Sequence, residues 1–388
     1  MNDRNETLAS ARERAAVKIT AVECVPLNVP FKVPFKIASG TARPAVETLI
    51  VKLHTDQGVV GVGETQAWRR QGSGETLAGQ VNVIKRHFEP RLVGRSPFDI
   101  ASIMHGLNEA LYGSHYAQAA VGDALYDACG KLLGIPVRQL LGGKCRDKVR
   151  IAAVLTLQGS AESLMESAEA FHAQGFRHLV LKIGVDPAED FRNAEALRKR
   201  FGGAVELRVD ANAALDYDAA LRLLHRLEQF DIECAEQPLG IWDTDGMARL
   251  ARAVRMPIMA DEAVSTDHAL VDIVRKGAAS SAQTKVAKNG GIYHIRRLWH
   301  LLAAAGMGIN PGNHPSTSVA TASVAQMCGA WPGPLMAGVF AVGVSGALAE
   351  DIVLNPIRPL DGEIAIPDGP GLGVQLDEAA LRRLRVDL

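Results

Sequence analysis

The chain has 388 residues, 47% of them apolar, and its 42 Lys and Arg against 43 Asp and Glu leave a formal charge of −1. That apolar share is enough for a large core and excludes a disordered chain. The near-even charge balance, with a pI of about 6.8, lacks the basic excess expected of a nucleic-acid binder.

Five scattered cysteines (Cys24, Cys129, Cys145, Cys234 and Cys328) form no CxxC pair. They read as thiols in a reducing, cytoplasmic compartment, not as disulfides or zinc ligands. The charged opening Met1-Asn2-Asp3-Arg4-Asn5-Glu6 has no apolar run behind it, so no signal peptide is expected. No stretch approaches the roughly 18 apolar residues of a membrane helix, so no membrane partner is expected either.

In chain order, residues 1–17 are polar and read as a flexible arm. Alternating patterns over 19–25, 48–53 and 61–64 predict about three antiparallel strands, with the Pro- and Lys-containing stretch 31–36 as a loop between the first two. From Thr76 to Leu141 the spacing turns helical, as in Val121, Leu125, Cys129 and Leu132, and Gly142-Gly143 ends the block. Beyond Asp147 short aliphatic runs alternate with amphipathic stretches. Strands are expected at 151–154, 178–183, 206–210, 232–236, 258–261, 282–285 and 308–313. Helices such as 188–201, 219–228 and 292–305 fill the gaps. Seven such units predict a parallel α/β barrel, with a doubly wound sheet as the alternative. The Gly- and Pro-punctuated segment 338–370 is expected to carry an eighth strand.

The strand ends carry the chemistry. Successive barrel strands finish in Lys182, Asp210, Glu236, Asp261, Lys285 and Asn313-His314, 24 to 28 residues apart. That interval is one βα unit, so the charged groups recur at one height, the C-terminal rim where barrel active sites are built. Three carboxylates in one dry cavity require a proton or a cation. An all-oxygen donor set favours Mg²⁺, with Mn²⁺ the other candidate. A cation that grips a substrate carboxylate stabilises the charge formed as the α-proton leaves, and a lysine on either side can serve as base. Taken singly the pieces have plainer readings: Asp210 or Asp261 as a helix N-cap, Glu236 as a loop charge, the lysines as solvated. The joint pattern on consecutive strands favours the site.

These residues resemble the enolase superfamily, and within it the muconate lactonizing enzyme subgroup related to mandelate racemase. The matching stretches are Gly61-Val62-Gly63-Glu64, Leu140-Leu141-Gly142-Gly143-Lys144-Cys145-Arg146-Asp147, Leu181-Lys182-Ile183-Gly184, Arg208-Val209-Asp210-Ala211-Asn212, Glu236-Gln237-Pro238, Met259-Ala260-Asp261-Glu262 and Lys285 through Gly291. The resemblance implies a (β/α)₇β barrel, expected over 146–367, with an α+β capping domain expected over 18–145 and about 368–388. It implies Mg²⁺ on Asp210, Glu236 and Asp261, and acid/base roles for Lys182 and Lys285. Asn212 is expected to support the metal, and specificity to lie in two capping loops, 31–42 and 66–75.

Two departures stand out. Val180 occupies the first position of the subgroup's Lys-x-Lys, and no acidic residue follows the seventh strand, where the chain reads Gly312-Asn313-His314-Pro315-Ser316-Thr317-Ser318. His314 therefore reads either as a pocket residue or as a structural histidine, and Glu262 as a possible ion-pair partner of Lys285. Arg69, Arg70 and Lys36 are read as solvated loop residues with a substrate carboxylate as the alternative partner, and Lys288 as structural. The expected activity is muconate cycloisomerase-like proton abstraction from a small carboxylate substrate by a homo-oligomer. A racemase or epimerase using both lysines, or an acid-sugar dehydratase, is the alternative.

Overall fold

The computed structural model describes residues 16–35, 43–67, 75–156, 160–340 and 347–388. The expected N-terminal arm falls almost wholly outside them, as do Lys36, Arg69, Arg70 and most of both capping loops.

The N-terminal unit is an antiparallel sheet in the order β1 (Ile19–Phe35), β2 (Arg43–Thr55), β3 (Val60–Gln66). β1 is longer than the sequence pattern suggests and runs through the stretch read as a loop. Its prolines are tolerated because β1 is an edge of this sheet. The carbonyls of Pro26 and Pro30 accept from Val386 N and Ala349 N on the side away from β2, so the missing proline N–H groups cost no ladder bonds. A register shift between Pro30 and Phe35 absorbs the irregularity.

Helix His115–Leu133 lies directly on β3. A Cβ on Gly61 would stand 2.2 Å from the Ala124 carbonyl oxygen, and one on Gly63 2.0 Å from that of Ala120. The glycines therefore set how closely this helix approaches the sheet. Ala117, Ala120 and Ala124 supply the small facing surface, buried with Leu49 and Val51 of β2 in one apolar cluster.

The second unit is a parallel sheet in the order β11-β10-β9-β8-β7-β6-β5. Its strands are β5 (Ala153–Leu155), β6 (His178–Lys182), β7 (Glu206–Asp210), β8 (Ile232–Glu236), β9 (Ile258–Ala260), β10 (Ser281–Lys285) and β11 (Gly308–Gly312). A helix follows each strand, from Ala161–Ala173 after β5 to Ser318–Ala330 after β11. Gly338 and Val339 close the curl. Gly338 bridges to Ile151 and Val339 to Gly312, both parallel, which supplies the expected eighth strand as a two-residue contact. The run expected at 151–154 is displaced: Ile151 makes that closing bridge and the strand proper begins at Ala153. Before it, β4 (Lys148–Arg150) pairs antiparallel with β12 (Glu363–Ala365). The architecture is thus the (β/α)₇β barrel with an α+β capping domain.

Alternation along each strand sorts the side chains. Leu179, Leu207, Val209, Ile258 and Ile309 belong to the large apolar cluster shared with the helices, while Ala152, Val180, Ala337 and Val339 form a separate small cluster. The rim residues Lys182, Asp210, Glu236 and Lys285 each end their strand, which leaves all of them at one level. Among the described residues no helix is long and apolar enough to cross a membrane.

Candidate active site

Register builds the site. Lys182 of β6 lies opposite Asp210 of β7, and Asp210 opposite Glu236 of β8. Asp261 follows β9 directly, and Lys285 ends β10. All five are buried, between 0% and 8% exposed, a level that charged side chains reach only when they are compensated.

The compensation is mutual. Lys182 Nζ donates to Asp210 Oδ2, and Lys285 Nζ to Asp261 Oδ2. Lys288, read from sequence as structural, also enters the site: its Nζ donates to Asp261 Oδ1 at 2.8 Å and to the Gln283 carbonyl at 3.1 Å. Its signal was the three-residue spacing from Lys285, which the turn after β10 converts into convergence on one carboxylate.

None of the plainer readings of the acids holds in the structure. The helix after β7 is capped by Asp216 and the helix after β9 by Thr266, so neither Asp210 nor Asp261 serves as an N-cap. Asp210 Oδ1 instead accepts from Asn212 N at 2.8 Å. The Asn212 amide bridges Asp210 Oδ2 at 3.1 Å and Glu262 Oε1 at 3.3 Å. Asn212 sits at φ 46° and Ala213 at φ 61°, left-handed conformations that are costly for alanine and are typically retained at functional sites. The glutamine of Glu236-Gln237-Pro238 has its own task. Gln237 Oε1 accepts from Asp261 N at 3.0 Å and Ala263 N at 3.2 Å, tying the end of β8 to that of β9.

The electrostatics follow from burial and neighbours. Burial works against the charge of Asp261, but Lys285 and Lys288 hold it below the usual carboxylate range. Burial likewise opposes the Lys285 ammonium, and Asp261, Glu262, Glu236 and Asp210 more than offset that and raise it. Lys288 ends lower than an ordinary lysine, its burial outweighing the attraction of Asp261. Glu262 is pushed up to about 8 by burial and then by Asp261. Glu236 is pushed well above its usual range by burial, then by Asp210 and Asp261.

His314 is buried at the end of β11, stacked on the Tyr116 ring with centroids 5.7 Å apart. Burial and then Lys285 keep it well below the ordinary histidine range. Tyr116 comes from the capping domain and carried no sequence signal. It opens a helix, far along the chain from the barrel, among residues that read simply as apolar.

Asp210 and Asp261 are each turned onto lysines, and among the described residues no three acidic, histidine or cysteine side chains are gathered as a ready-made metal cage. The donor set nevertheless fits a hard cation. Glu236 is fully buried, stands against two other carboxylates, and its Oε2 has no hydrogen-bond partner among the described residues. Such an oxygen needs either a proton or a cation.

Residues 19–142 match the family described as mandelate racemase/muconate lactonizing enzyme, N-terminal domain, and residues 163–380 match the enolase C-terminal domain-like family. The chain belongs to the mandelate racemase/muconate lactonizing enzyme family. It is 32% identical to a chloromuconate cycloisomerase of Cupriavidus pinatubonensis, over 87% of this chain and 90% of that protein. It is 30% identical to an N-succinyl-L-Arg/Lys racemase of Bacillus cereus, over 95% of this chain and 98% of the relative. Among solved structures, a muconate lactonizing enzyme from Pseudomonas fluorescens complexed with muconolactone superposes with a TM-score of 0.90 at 30% identity, covering 96% of this chain and 100% of that one. As a member of this family the chain is an enzyme of the isomerase/lyase class, and its kinship supports the proton-abstraction chemistry of the enolase superfamily.

Proposed function

We propose that this enzyme abstracts the proton α to the carboxylate of a small substrate, with Lys182 and Lys285 as its acid/base groups. The observation that carries this reading is the disposition of the two lysines. Each is buried and paired with a different acid, Lys182 with Asp210 and Lys285 with Asp261, on either side of Glu236. A substrate carboxylate drawn toward the acids would have its α-carbon between two amines.

Asp210, Glu236 and Asp261 would hold a divalent cation, Mg²⁺ or Mn²⁺ by the hardness of their oxygens. That cation would set positive charge against the negative charge building on the substrate's carboxylate oxygens. With its charge on the acids, the lysines would be free to face the substrate. One lysine, in its neutral form, then takes the α-proton, and the electron pair of the C–H bond moves toward the carboxylate. Asn212 keeps Asp210 oriented through two hydrogen bonds. Protonation at the opposite face by the other lysine inverts the centre. In a cycloisomerisation a second carboxylate of the substrate adds to the conjugated double bond, and the electron pair of that bond moves toward the first carboxylate. A lysine ammonium then protonates the α-carbon, α-proton abstraction being the first step of the reverse reaction.

The relatives include both outcomes, muconate and chloromuconate cycloisomerases and a racemase of N-succinylated Arg and Lys. The presence of a lysine on each side, together with His314 where an acidic residue was expected, favours the racemase or epimerase reading as the second one. A homo-oligomer is proposed on family grounds alone.

Deuterium incorporation decides between them. Muconates, N-acylamino acids and dipeptides are incubated with enzyme and Mg²⁺ in D₂O and the α-proton signal is followed by NMR. Lys182→Ala and Lys285→Ala should each slow exchange by about 10²–10⁴-fold. A racemase loses exchange from one enantiomer in each variant, and a cycloisomerase loses net turnover in one. Parent-like exchange in a folded, metal-binding variant of either lysine would refute the two-lysine reading.

A further inference from the structure

Two helices of the barrel are capped by the other domain. A helix leaves its first four N–H groups without intrahelical partners, and most barrel helices here satisfy one with their own N-cap side chain. Ser160, Asp186, Asp216, Asp243, Thr266 and Thr317 do so in turn. The helix after β10, Gly291–Ala304, has Gly290 at its N-cap and no side chain to offer. Asp123, from the capping-domain helix His115–Leu133, supplies the acceptor, with Oδ1 2.8 Å from Ile292 N. The helix after β11 is gripped more extensively. Glu64 of β3 accepts from Thr317 N at 3.0 Å, Thr317 Oγ1 at 2.7 Å and Ala320 N at 2.8 Å, while Thr48 Oγ1 holds it from its own sheet at 2.8 Å.

Both grips lie a few residues from the candidate site and are joined to it by short bonded rings. From Ile292 the turn runs back through Gly291 N to the Val286 carbonyl at 2.9 Å. Asn289 then closes on Lys285 twice, its N donating to the Lys285 carbonyl at 3.0 Å and its Oδ1 accepting from Lys285 N at 2.8 Å. Gly291, at φ 79°, is pressed against the capping helix: a Cβ there would stand 2.6 Å from Asp123 Oδ1 and 3.0 Å from Ala119 Cα. On the β11 side, Asn313 Nδ2 donates to Ser316 Oγ at 2.9 Å and Thr321 Oγ1 at 3.2 Å, and Thr321 Oγ1 donates to the Thr317 carbonyl at 3.1 Å. His314 is carried inside that loop.

We infer that Asp123 and Glu64 are positioning residues through which the seated capping domain sets the β10 turn bearing Lys285 and the β11 loop bearing His314. The significance for catalysis rests on the acid/base reading of Lys285, but the mechanical claim does not. The domain that carries the specificity loops thereby also fixes two strand ends of the reacting centre, so an unseated cap leaves Lys285 poorly aimed.

The test needs no substrate. Amide hydrogen exchange is measured by mass spectrometry at neutral pH on peptides spanning 286–292, 314–321 and, as a remote reference, helix Pro187–Phe201. In parallel, labelling of Lys285 and Lys182 by trinitrobenzenesulfonate is read on the same peptides. Asp123→Ala should raise exchange at 286–292 about tenfold, the cost of a lost cap, and speed Lys285 labelling several-fold while Lys182 and the reference helix stay at parent rates. Asp123→Asn keeps Oδ1 as an acceptor and should stay within about twofold of parent. Glu64→Gln turns an amide N–H₂ toward groups that are themselves donors, so it should loosen 314–321 and leave 286–292 unchanged. Should Asp123→Ala not fold, the Glu64→Gln result decides alone.

Parent-like exchange at the gripped turn, or parent-like Lys285 labelling in folded Asp123→Ala, overturns the inference. A rise spread equally to the reference helix overturns it as well, since that marks a general stabiliser. Failure to find deuterium exchange in any substrate would count against Lys285 as a base and leave these measurements unaffected.

Discussion

Glu236 has the least compensation of the charged groups at the rim. Asp210 has Lys182 and Asn212, and Asp261 has Lys285 and Lys288, whereas Glu236 Oε2 meets no donor among the described residues. Its ionised form is opposed by burial and by both neighbouring acids, so a divalent cation should relieve more strain there than at either aspartate. Adding MgCl₂ should therefore raise the melting temperature. At a hundredfold excess over Kd the linkage is about 2.7 kcal/mol, or roughly 5–10 °C for a domain of about 200 residues. Glu236→Gln should lose most of that shift without destabilising the metal-free protein, because it removes a charge that the fold disfavours. Equal Mg²⁺ shifts in parent and variant, read by scanning calorimetry, would remove Glu236 from the donor set. That Lys182, Asp210, Glu236, Asp261 and Lys285 come together was legible from residue types at a fixed interval. Tyr116 was not, because a contact between domains brings it in and leaves no periodic trace, and the spacing of Lys288 from Lys285 did not by itself show that a turn brings both onto Asp261.

Among the elements, most barrel strands were readable almost to the residue, because β6, β7, β8 and β10 end in a charged group and β9 and β11 are followed directly by Asp261 and Asn313. β7 and β8 match their expected bounds, and β6, β9, β10 and β11 differ by one residue at one end. What stayed hidden were features set by neighbours. The length of β1 depends on which face of the strand its prolines present. A bulge in β8 sets Glu233 and Cys234 against Arg208 where one residue would normally stand, and this lets the buried Arg208 guanidinium pair with Glu233 at 3.0 Å. The seating of helix His115–Leu133 on β3 is also a neighbour effect, and it yields a paired prediction. Gly63→Ala drives a methyl into the Ala120 carbonyl and should lower unfolding stability by about 1–3 kcal/mol. Gly106→Ala, inside helix Ile100–Ala110 with nothing within 4 Å of a new Cβ, should raise it by about 0.5–1 kcal/mol. Urea midpoints at constant m report both; a neutral Gly63→Ala would mean that the helix can lift from the sheet at no cost.

For the molecule as a whole, the capping domain meets the barrel through carboxylates that have been taken out of water, and this makes the union sensitive to pH. Asp123 is pushed up to about 7, first by burial and also by the nearby Asp127, against the lowering pull of the Ile292 N–H and the Ser323 hydroxyl. Glu64 is raised by burial as well, although its donors from Thr317, Ala320 and Thr48 pull the other way. The sign follows from proton counts. Between the unfolded value of about 3.9 and its folded value, Asp123 holds a proton in the native state that the unfolded chain has released. Stability from this group is therefore complete below pH 4, declines as pH rises to about 7, and is constant above that, with a limiting slope of about 1.4 kcal/mol per pH unit. Asp123→Asn keeps the acceptor for Ile292 and never ionises. It should match the parent near pH 4, become the more stable protein as pH rises, and hold its advantage above pH 7. Chemical denaturation of both proteins at half-unit steps from pH 4 to 8 measures the difference directly, so that other titrating groups cancel. Parallel curves across that range would show that Asp123 stays charged in the folded protein. The carboxylate would then be held at the seam by more than the Ile292 N–H and the Ser323 hydroxyl.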